Sequence, residues 1–173
     1  DQKVVLVFDA YSVPGGQGAK YDDDGIFFPL DNVNAIRRLV KSWREAGYPG
    51  TTGTARTLLD WWHDRTARPD SPFFFCQLEA IETLIWLAET REGAAVNIKG
   101  DGGHFTRLCT KLCTGGGKTI VMAMLIAWQV CSKSAYPSDT RFTKNILVVA
   151  PNLTVRKRLE VLMTGGDANY YDR

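Results

Sequence analysis

Residues 114–119 read Thr-Gly-Gly-Gly-Lys-Thr, and this stretch decides the fold that the sequence predicts. It lies between a short segment at residues 105–113 and an apolar run at residues 120–130. Strand, glycine loop and helix follow in this order in phosphate-binding loops of the pattern G-x-x-x-x-G-K-[ST]. The chain departs from that pattern once, because Cys113 stands where the first glycine belongs. A merely flexible loop is the alternative, but the apolar helix predicted directly after Lys-Thr favours a phosphate site.

The predicted phosphate site has a role for each residue of the stretch. Consecutive glycines let the backbone point its N–H groups at phosphate oxygens from close range, since no Cβ stands in the way. Lys118 would place its positive charge on the β- and γ-phosphates and the Thr119 hydroxyl would ligate Mg²⁺, so these two residues are the predicted catalytic pair. The helix N-terminus faces the same anion. The predicted ligands are ATP and Mg²⁺, bound by Thr114, Gly115, Gly116, Gly117, Lys118 and Thr119.

The composition is that of a globular protein of one domain or slightly more. Of the 173 residues, 45% are hydrophobic and 23% charged, and the net charge of +2 gives no global attraction to nucleic acid. The four cysteines form no CxxC pair, so we expect reduced thiols and a cytoplasmic location rather than a zinc site. The most apolar run, residues 119–131, is too short to cross a bilayer, so no membrane association is predicted.

Alternating strand and helix patterns predict an α/β fold with a parallel sheet. Apolar segments rich in β-branched residues are the predicted strands at residues 3–8 and 145–150, and residues 106–112 are the predicted strand that leads into the phosphate loop. The last of them reads Asn-Ile-Leu-Val-Val-Ala, a near-continuous apolar run that is typical of a parallel strand covered on both faces. Residues 11–29, rich in Gly, Pro and Asp, are predicted to form a long loop.

Five amphipathic segments are predicted helices. Asp31 is expected to cap the first, which ends near Gly47, and Thr54 to cap the second. The other three lie at residues 73–92, at residues 118–131, and from Asn152 or Thr154 to about Met163. Predicted inward-facing residues include Val33, Ile36, Val40, Trp43, Leu58, Leu59, Trp62, Leu78, Ile81, Ile85 and Ala88. Trp61 and Trp62 are predicted to pack in the core rather than to form a base-stacking platform.

Three segments carry a family resemblance. Residues 74–81 (Phe-Phe-Cys-Gln-Leu-Glu-Ala-Ile) resemble the Q motif of superfamily two helicases, residues 111–119 resemble motif I, and residues 148–156 (Val-Val-Ala-Pro-Asn-Leu-Thr-Val-Arg) resemble motif Ia. In motif I of these helicases a small residue commonly replaces the first glycine, as Cys113 does here. Together the three segments resemble the DEAD/DEAH-box helicase subunit of type III restriction enzymes, the res subunit. The fold that this implies is a P-loop NTPase with a partial RecA-like domain, preceded by a small, mostly helical accessory region.

The resemblance also implies roles outside the glycine stretch. Gln77 would contact the adenine edge through its amide, although a surface or capping glutamine is the alternative. Phe74 or Phe75 would pack on the base, although packing in the protein core is the alternative for either. The implied activity is ATP hydrolysis coupled to movement on duplex DNA, with a DNA methyltransferase (modification) subunit as a partner. Contacts to the DNA backbone would come from Pro151, Asn152, Thr154 and Arg156, although a solvated helix face explains the basic residues equally well.

The polar segment at residues 65–72, which carries two prolines, is the predicted boundary between an accessory region at residues 1–70 and the first part of a RecA-like domain at residues 71–173. The family's DExx motif II and its arginine finger do not occur before Arg173, and the chain begins with Asp. We therefore expect a piece of a longer protein, one that on its own binds nucleotide weakly and does not hydrolyse it. Other readings are a small nucleotide kinase, a nucleotide-binding module without hydrolysis, and a stand-alone superfamily two helicase acting in DNA repair or on RNA.

Overall fold

The structure is a computed structural model that describes residues 10–13, 26–29, 31–98 and 108–171. The chain divides into two compact units, residues 1–47 and residues 48–173. The strand predicted at residues 3–8 lies outside the described residues.

In the first unit, two short strands precede a helix. Strand β1 (Ala10–Val13) pairs antiparallel with β2 (Ile26–Pro29), with Ala10 opposite Pro29 and Val13 opposite Ile26. The predicted loop over residues 11–29 is therefore wrong at both of its ends. Tyr, Val, Ile and Phe at these ends favour the extended backbone, which the Gly, Pro and Asp content of the whole stretch obscured.

Helix α1 (Asp31–Glu45) confirms the first predicted helix. Asp31 is its first residue rather than its cap, and a negative charge there is favourable because the helix N-terminus carries a partial positive charge. Val40 and Trp43 are buried as predicted. Val33 was expected to face inward but is 48% exposed, and the neighbouring Asn34 is buried instead.

The second unit is built on three helices that pack on one another: α2 (Gly53–His63), α3 (Phe75–Glu89) and α5 (Lys118–Ala135). Their buried apolar side chains form its core, and each fully buried one stabilises the fold by about 1.5–3 kcal/mol. These side chains are Leu59, Trp62, Ile81, Ile85, Trp86, Val121, Met124 and Trp128. The predicted packing of Trp62 in the core is confirmed, whereas Trp61 is 43% exposed, with the Arg68 guanidinium 4.6 Å from its ring centre.

Shorter helices complete the second unit. Helix α4 (Arg91–Ala94) follows α3 directly, and α6 (Leu153–Leu159) continues into a 3-10 turn, Glu160–Leu162. Asn152 caps α6, because its side-chain oxygen accepts a hydrogen bond from the Val155 N–H (2.9 Å). Of the two predicted starts of this helix, Asn152 and Thr154, the structure has the first. Within the described residues, no helix combines the length and apolar character needed to span a lipid bilayer.

Glu82 of α3 is a fully buried carboxylate that links α3 to α2 and to the start of the unit. Its Oε1 accepts hydrogen bonds from the Tyr48 hydroxyl and from His63 Nε2, both at 2.8 Å. Tyr48 has a φ of 60°, a left-handed conformation that is uncommon for any residue other than glycine. Because a buried carboxylate is costly without hydrogen-bond donors, this cluster fixes how α2 and Tyr48 are held on α3.

Glu89, the last residue of α3, is a second buried carboxylate that links this helix to other parts of the unit. Its carboxylate accepts hydrogen bonds from the Thr52 N–H (2.6 Å) and from the Trp128 indole N–H (2.7 Å). Thr52 in turn caps α2, since its hydroxyl accepts from the Ala55 N–H at 3.2 Å. The predicted cap, Thr54, is two residues too late because Glu89 anchors the chain at Thr52.

The predicted α/β fold with a parallel sheet is wrong. In the described part of the second unit every regular element is a helix or a 3-10 turn, and the strand pairing in the described residues is the antiparallel β1–β2 pair of the first unit. Residues 145–150, a predicted strand, form no strand, and Leu147 and Val149 are 88% and 80% exposed. Residues 108–112, the described part of the predicted strand 106–112, form none either. A strand exists only by pairing with a neighbour, and an apolar run of residues does not supply that neighbour.

The boundary between structural units also differs in position from the predicted functional boundary. Helix α2 lies within the accessory region predicted at residues 1–70, yet it packs on α3 and α5 and so belongs to the second compact unit. The division at residues 70 and 71, placed on the polar segment that carries two prolines, stays a prediction.

Candidate functional site

The stretch predicted to bind phosphate folds as a tight loop at the start of α5. We call residues 114–117 the glycine loop. Gly115 has a φ of +82°, and Gly117, the N-cap of α5, has a φ of +76° and a ψ of +40°. Both conformations suit glycine because it has no Cβ to collide with the backbone. Left-handed residues next to a helix start turn successive N–H groups toward one point, which is the geometry of an anion-binding nest.

The N–H groups at the start of α5 are available to donate hydrogen bonds to an anion. The Gly116 N–H donates to the Cys113 carbonyl (3.2 Å), and the helical pattern of α5 begins with the Ile120 N–H donating to Gly117. Among the described residues, no backbone acceptor pairs with the N–H groups of Gly117, Lys118 and Thr119. The first N–H groups of any helix have no intrahelical partner, so a ligand oxygen can accept from them.

Lys118 folds back across the glycine loop. Its ammonium donates to the Leu112 carbonyl at 3.0 Å and to the Cys113 carbonyl at 2.7 Å, while the side chain remains exposed. Within the part of the chain that the structure describes, the acceptors of this cation are therefore neutral carbonyls at the loop rim. Phosphate oxygens are stronger acceptors for an ammonium than peptide carbonyls are, because they carry negative charge. The ammonium can exchange one set of acceptors for the other without leaving the loop.

Gln77 ties the glycine loop to the first turn of α3. It is 2% exposed, its Nε2 donates to the Gly116 carbonyl (3.2 Å), and its Oε1 accepts from the Phe74 N–H (2.9 Å). A Cβ at Gly117 would collide with Gln77 Nε2, so the glycine there also allows the close approach of the two segments. The structure thus gives Gln77 the capping role that the sequence left as the alternative, together with a loop contact.

The adenine contact of Gln77 stays a prediction. Its amide is buried and already bonded on both sides, so the amide would have to turn outward to meet a base. Phe74 and Phe75 are 60% and 55% exposed at the N-terminus of the same helix, where an aromatic ring can pack on a ligand. The capping role had a sequence signal, since glutamine three residues after an N-cap is the pattern of a capping box.

Two further groups at the loop were not anticipated. The Cys76 Sγ lies 3.7 Å from the Gly116 carbonyl oxygen, on the same turn of α3 as Gln77. The carbonyls of Leu112 and Cys113 hold the lysine. No sequence pattern could have identified these carbonyls, because every residue has one.

The residues of the site fit the phosphates of a nucleoside triphosphate, and they offer one candidate ligand for its magnesium ion. The loop N–H groups and Lys118 suit the phosphates, and Thr119, partly exposed in the first turn of α5, can offer its hydroxyl to Mg²⁺. Thr114 is exposed at the opening of the loop. Among the described residues, no three acidic, histidine or cysteine side chains converge on a metal position.

The residues predicted to contact DNA lie on a separate element, at the start of α6. Pro151, Thr154 and Arg156 are exposed, and the Asn152 side-chain oxygen is used for capping. Lys157 and Arg158 are exposed on the same short helix. The structure therefore presents a local positive charge here, within a chain of nearly neutral total charge.

No protein-family model, curated protein or solved structure matches this chain. The resemblance to superfamily two helicases accordingly rests on the three sequence motifs quoted above.

Proposed function

We propose that the glycine loop, Lys118 and Thr119 bind the triphosphate of ATP together with Mg²⁺. The observation that carries this proposal is the Lys118 ammonium, held 2.7 Å from the Cys113 carbonyl across a loop with two left-handed glycines. An exposed lysine that folds back on main-chain carbonyls is already restrained, so less side-chain entropy is lost when phosphates replace them. The N–H groups of the first turn of α5 then complete the anion site.

The chemistry of the site favours phosphates over other anions. A planar carboxylate offers two oxygens, whereas the nest and the lysine together present donors around a volume that suits a tetrahedral group with several oxygens. Magnesium, when bound, would neutralise part of the charge on the phosphates. Lys118 would neutralise another part, and Thr119 would orient the metal.

We further propose, on the motifs alone, that ATP binding here serves a DNA helicase or translocase of the type III restriction kind, with the exposed basic residues of α6 on the duplex backbone. A methyltransferase subunit is the partner that this assignment suggests, and four free thiols agree with a cytoplasmic location. Lys and Arg contacts to phosphates position a protein on DNA without reading sequence. Arg156→Ala should then weaken binding to duplexes of any sequence to a similar extent.

The test of the ATP site is a titration with fluorescent ATP and Mg²⁺ on the unaltered chain and on Lys118→Ala. Loss of the charge-assisted contacts should weaken binding by about 1.5–3 kcal/mol, or roughly tenfold to a hundredfold. Lys144→Ala is the matched control, because it removes the same charge from an exposed position outside the loop and should leave the affinity unchanged. Circular dichroism of each variant establishes that the helices are intact. Equal affinities for the unaltered chain and Lys118→Ala would contradict the assignment.

A further inference from the structure

Two cysteines approach the glycine loop from different parts of the chain. Cys76 belongs to the first turn of α3, with its Sγ 3.7 Å from the Gly116 carbonyl oxygen. Cys113 immediately precedes the loop, and its Sγ lies 3.2 Å from the position that a Cβ on Gly116 would occupy. Gly116 is buried between these neighbours. Both thiols are therefore in contact range of one residue, the middle glycine of the loop.

The two thiols differ in exposure, so in a two-step thiol–disulfide exchange the exposed one would react with the oxidant first. Cys113 is exposed and Cys76 is partly buried. The segment before the loop, residues 108–113, has no helix or strand, whereas Cys76 is fixed on α3. A disulfide requires Cα atoms within about 7 Å of each other. Both cysteines lie against Gly116, and no helix or strand at residues 108–113 opposes a shift of Cys113 toward α3.

We propose that Cys76 and Cys113 are a redox pair whose disulfide holds the glycine loop against α3 and closes it to phosphate-bearing ligands. The second half of this statement rests on the proposed function. The Cys113 carbonyl is the nearer acceptor of the Lys118 ammonium. A disulfide restrains Cys113 and the glycine loop against α3, so the loop N–H groups and the ammonium can no longer rearrange around phosphate oxygens.

The oxidant that we name is a small disulfide such as oxidised glutathione. The Cys113 thiolate attacks one of its sulfurs, the S–S bond breaks and one glutathione thiolate leaves. The Cys76 thiolate then attacks the Cys113 sulfur of the mixed disulfide, and the second glutathione thiolate leaves. The protons of the two cysteines pass to the two glutathiones. The pair is oxidised by two electrons and the oxidant is reduced by two.

Peptide mapping tests the pairing independently of any nucleotide. Trypsin places the four cysteines in four different peptides, since a cleavable Lys or Arg separates each from the next. After treatment with oxidised glutathione, mass spectrometry of the unreduced digest should show the peptide of residues 66–91 joined to that of residues 112–118. A thiol titration in denaturant should fall from four thiols to two.

The variants make the pairing specific. Cys76→Ser and Cys113→Ser should each abolish the cross-link, whereas Cys131→Ser should preserve it, because Cys131 is exposed toward the other end of α5. Cys109→Ser should also preserve it. Pairing of Cys109 with Cys113, or glutathione adducts without an internal disulfide, would overturn the proposal.

The effect on the loop is measured separately, by ATP titration of the reduced and the oxidised chain. We expect oxidation to weaken binding at least tenfold and dithiothreitol to restore it. If the disulfide forms and the reduced chain binds no ATP, the ATP site fails while the redox pair stands. If the reduced chain binds ATP and the oxidised chain binds it equally well, the closing of the loop by the disulfide is refuted.

Discussion

The helical core of α2, α3 and α5 buries charged residues, whereas the segment at residues 145–150 exposes apolar ones. In the core, the charged residues Glu82 and Glu89 are buried, and each has hydrogen-bond donors from other elements. In the segment, Leu147 and Val149 are the most exposed large apolar side chains described, although their residue types favour burial. Burial in this molecule thus follows the partners that tertiary structure supplies, more than the hydropathy of the individual residue.

The largest effect that tests this comparison is the loss of a buried charged group. Glu82→Ala leaves the Tyr48 hydroxyl and His63 without their acceptor, so it should lower the free energy of unfolding by about 3–5 kcal/mol. Urea unfolding followed by tryptophan fluorescence measures the change. Glu92→Ala, at an exposed position of α4, is the control and should change stability by less than about 0.5 kcal/mol. A similar small change for both variants would mean that Glu82 does not anchor the core.

A second effect concerns the junction between that core and the glycine loop. Gly117→Ala places a Cβ on a residue with left-handed backbone, and this Cβ collides with Gln77. We therefore expect the free energy of unfolding to fall by about 2–4 kcal/mol. Gly115→Ala has the same unfavourable φ but open space around it, and should cost about 1 kcal/mol.

The difference in unfolding free energy between these two glycine variants measures the packing of Gln77 against the loop. It should shrink when both are made in a Gln77→Ala background, because the truncated side chain leaves room for the new methyl group. Equal losses for Gly115→Ala and Gly117→Ala would show that α3 does not press against the loop.

The smallest effect is expected in the exposed segment. Leu147→Lys should change the free energy of unfolding by less than about 0.5 kcal/mol, because the leucine is already in solvent. The matched variant in the core is Leu59→Ala, which should cost about 2–5 kcal/mol since Leu59 is fully buried. A loss of more than about 1 kcal/mol for Leu147→Lys would show that the segment is packed in solution, and would remove the contrast with the core.

The parts of the fold that the sequence predicted correctly are those decided by nearby residues. The helices α3 and α5, the burial of Ile81 and Ile85, and the cap at Asn152 follow from sequence patterns within one or two helical turns. The strand at residues 145–150 depended on a partner elsewhere in the chain, so its apolar run predicted the wrong structure. Even the cap of α2 moved by two residues, because Glu89, distant in sequence, fixes Thr52.

The candidate site also combines features decided by nearby residues with features decided by tertiary contacts. The left-handed glycines and the start of α5 at Lys118 follow from local sequence, and they agree with a phosphate-binding loop. The acceptors of the Lys118 ammonium are main-chain carbonyls, which no residue type marks. The burial of Gln77 against Gly116 is a tertiary contact that the sequence did not predict, while the adenine contact of Gln77 stays a prediction.

The most direct measurement of the phosphate site compares the affinities of the chain for ATP, ADP and AMP in the presence of Mg²⁺ by calorimetry. If the glycine loop and Lys118 hold the phosphates, affinity should fall as phosphates are removed, and AMP should bind at least about tenfold more weakly than ATP, since each lost charge-assisted hydrogen bond is worth about 1.5–3 kcal/mol. If AMP binds as tightly as ATP, the base or the sugar carries the affinity, and the loop at the start of α5 is not a triphosphate site.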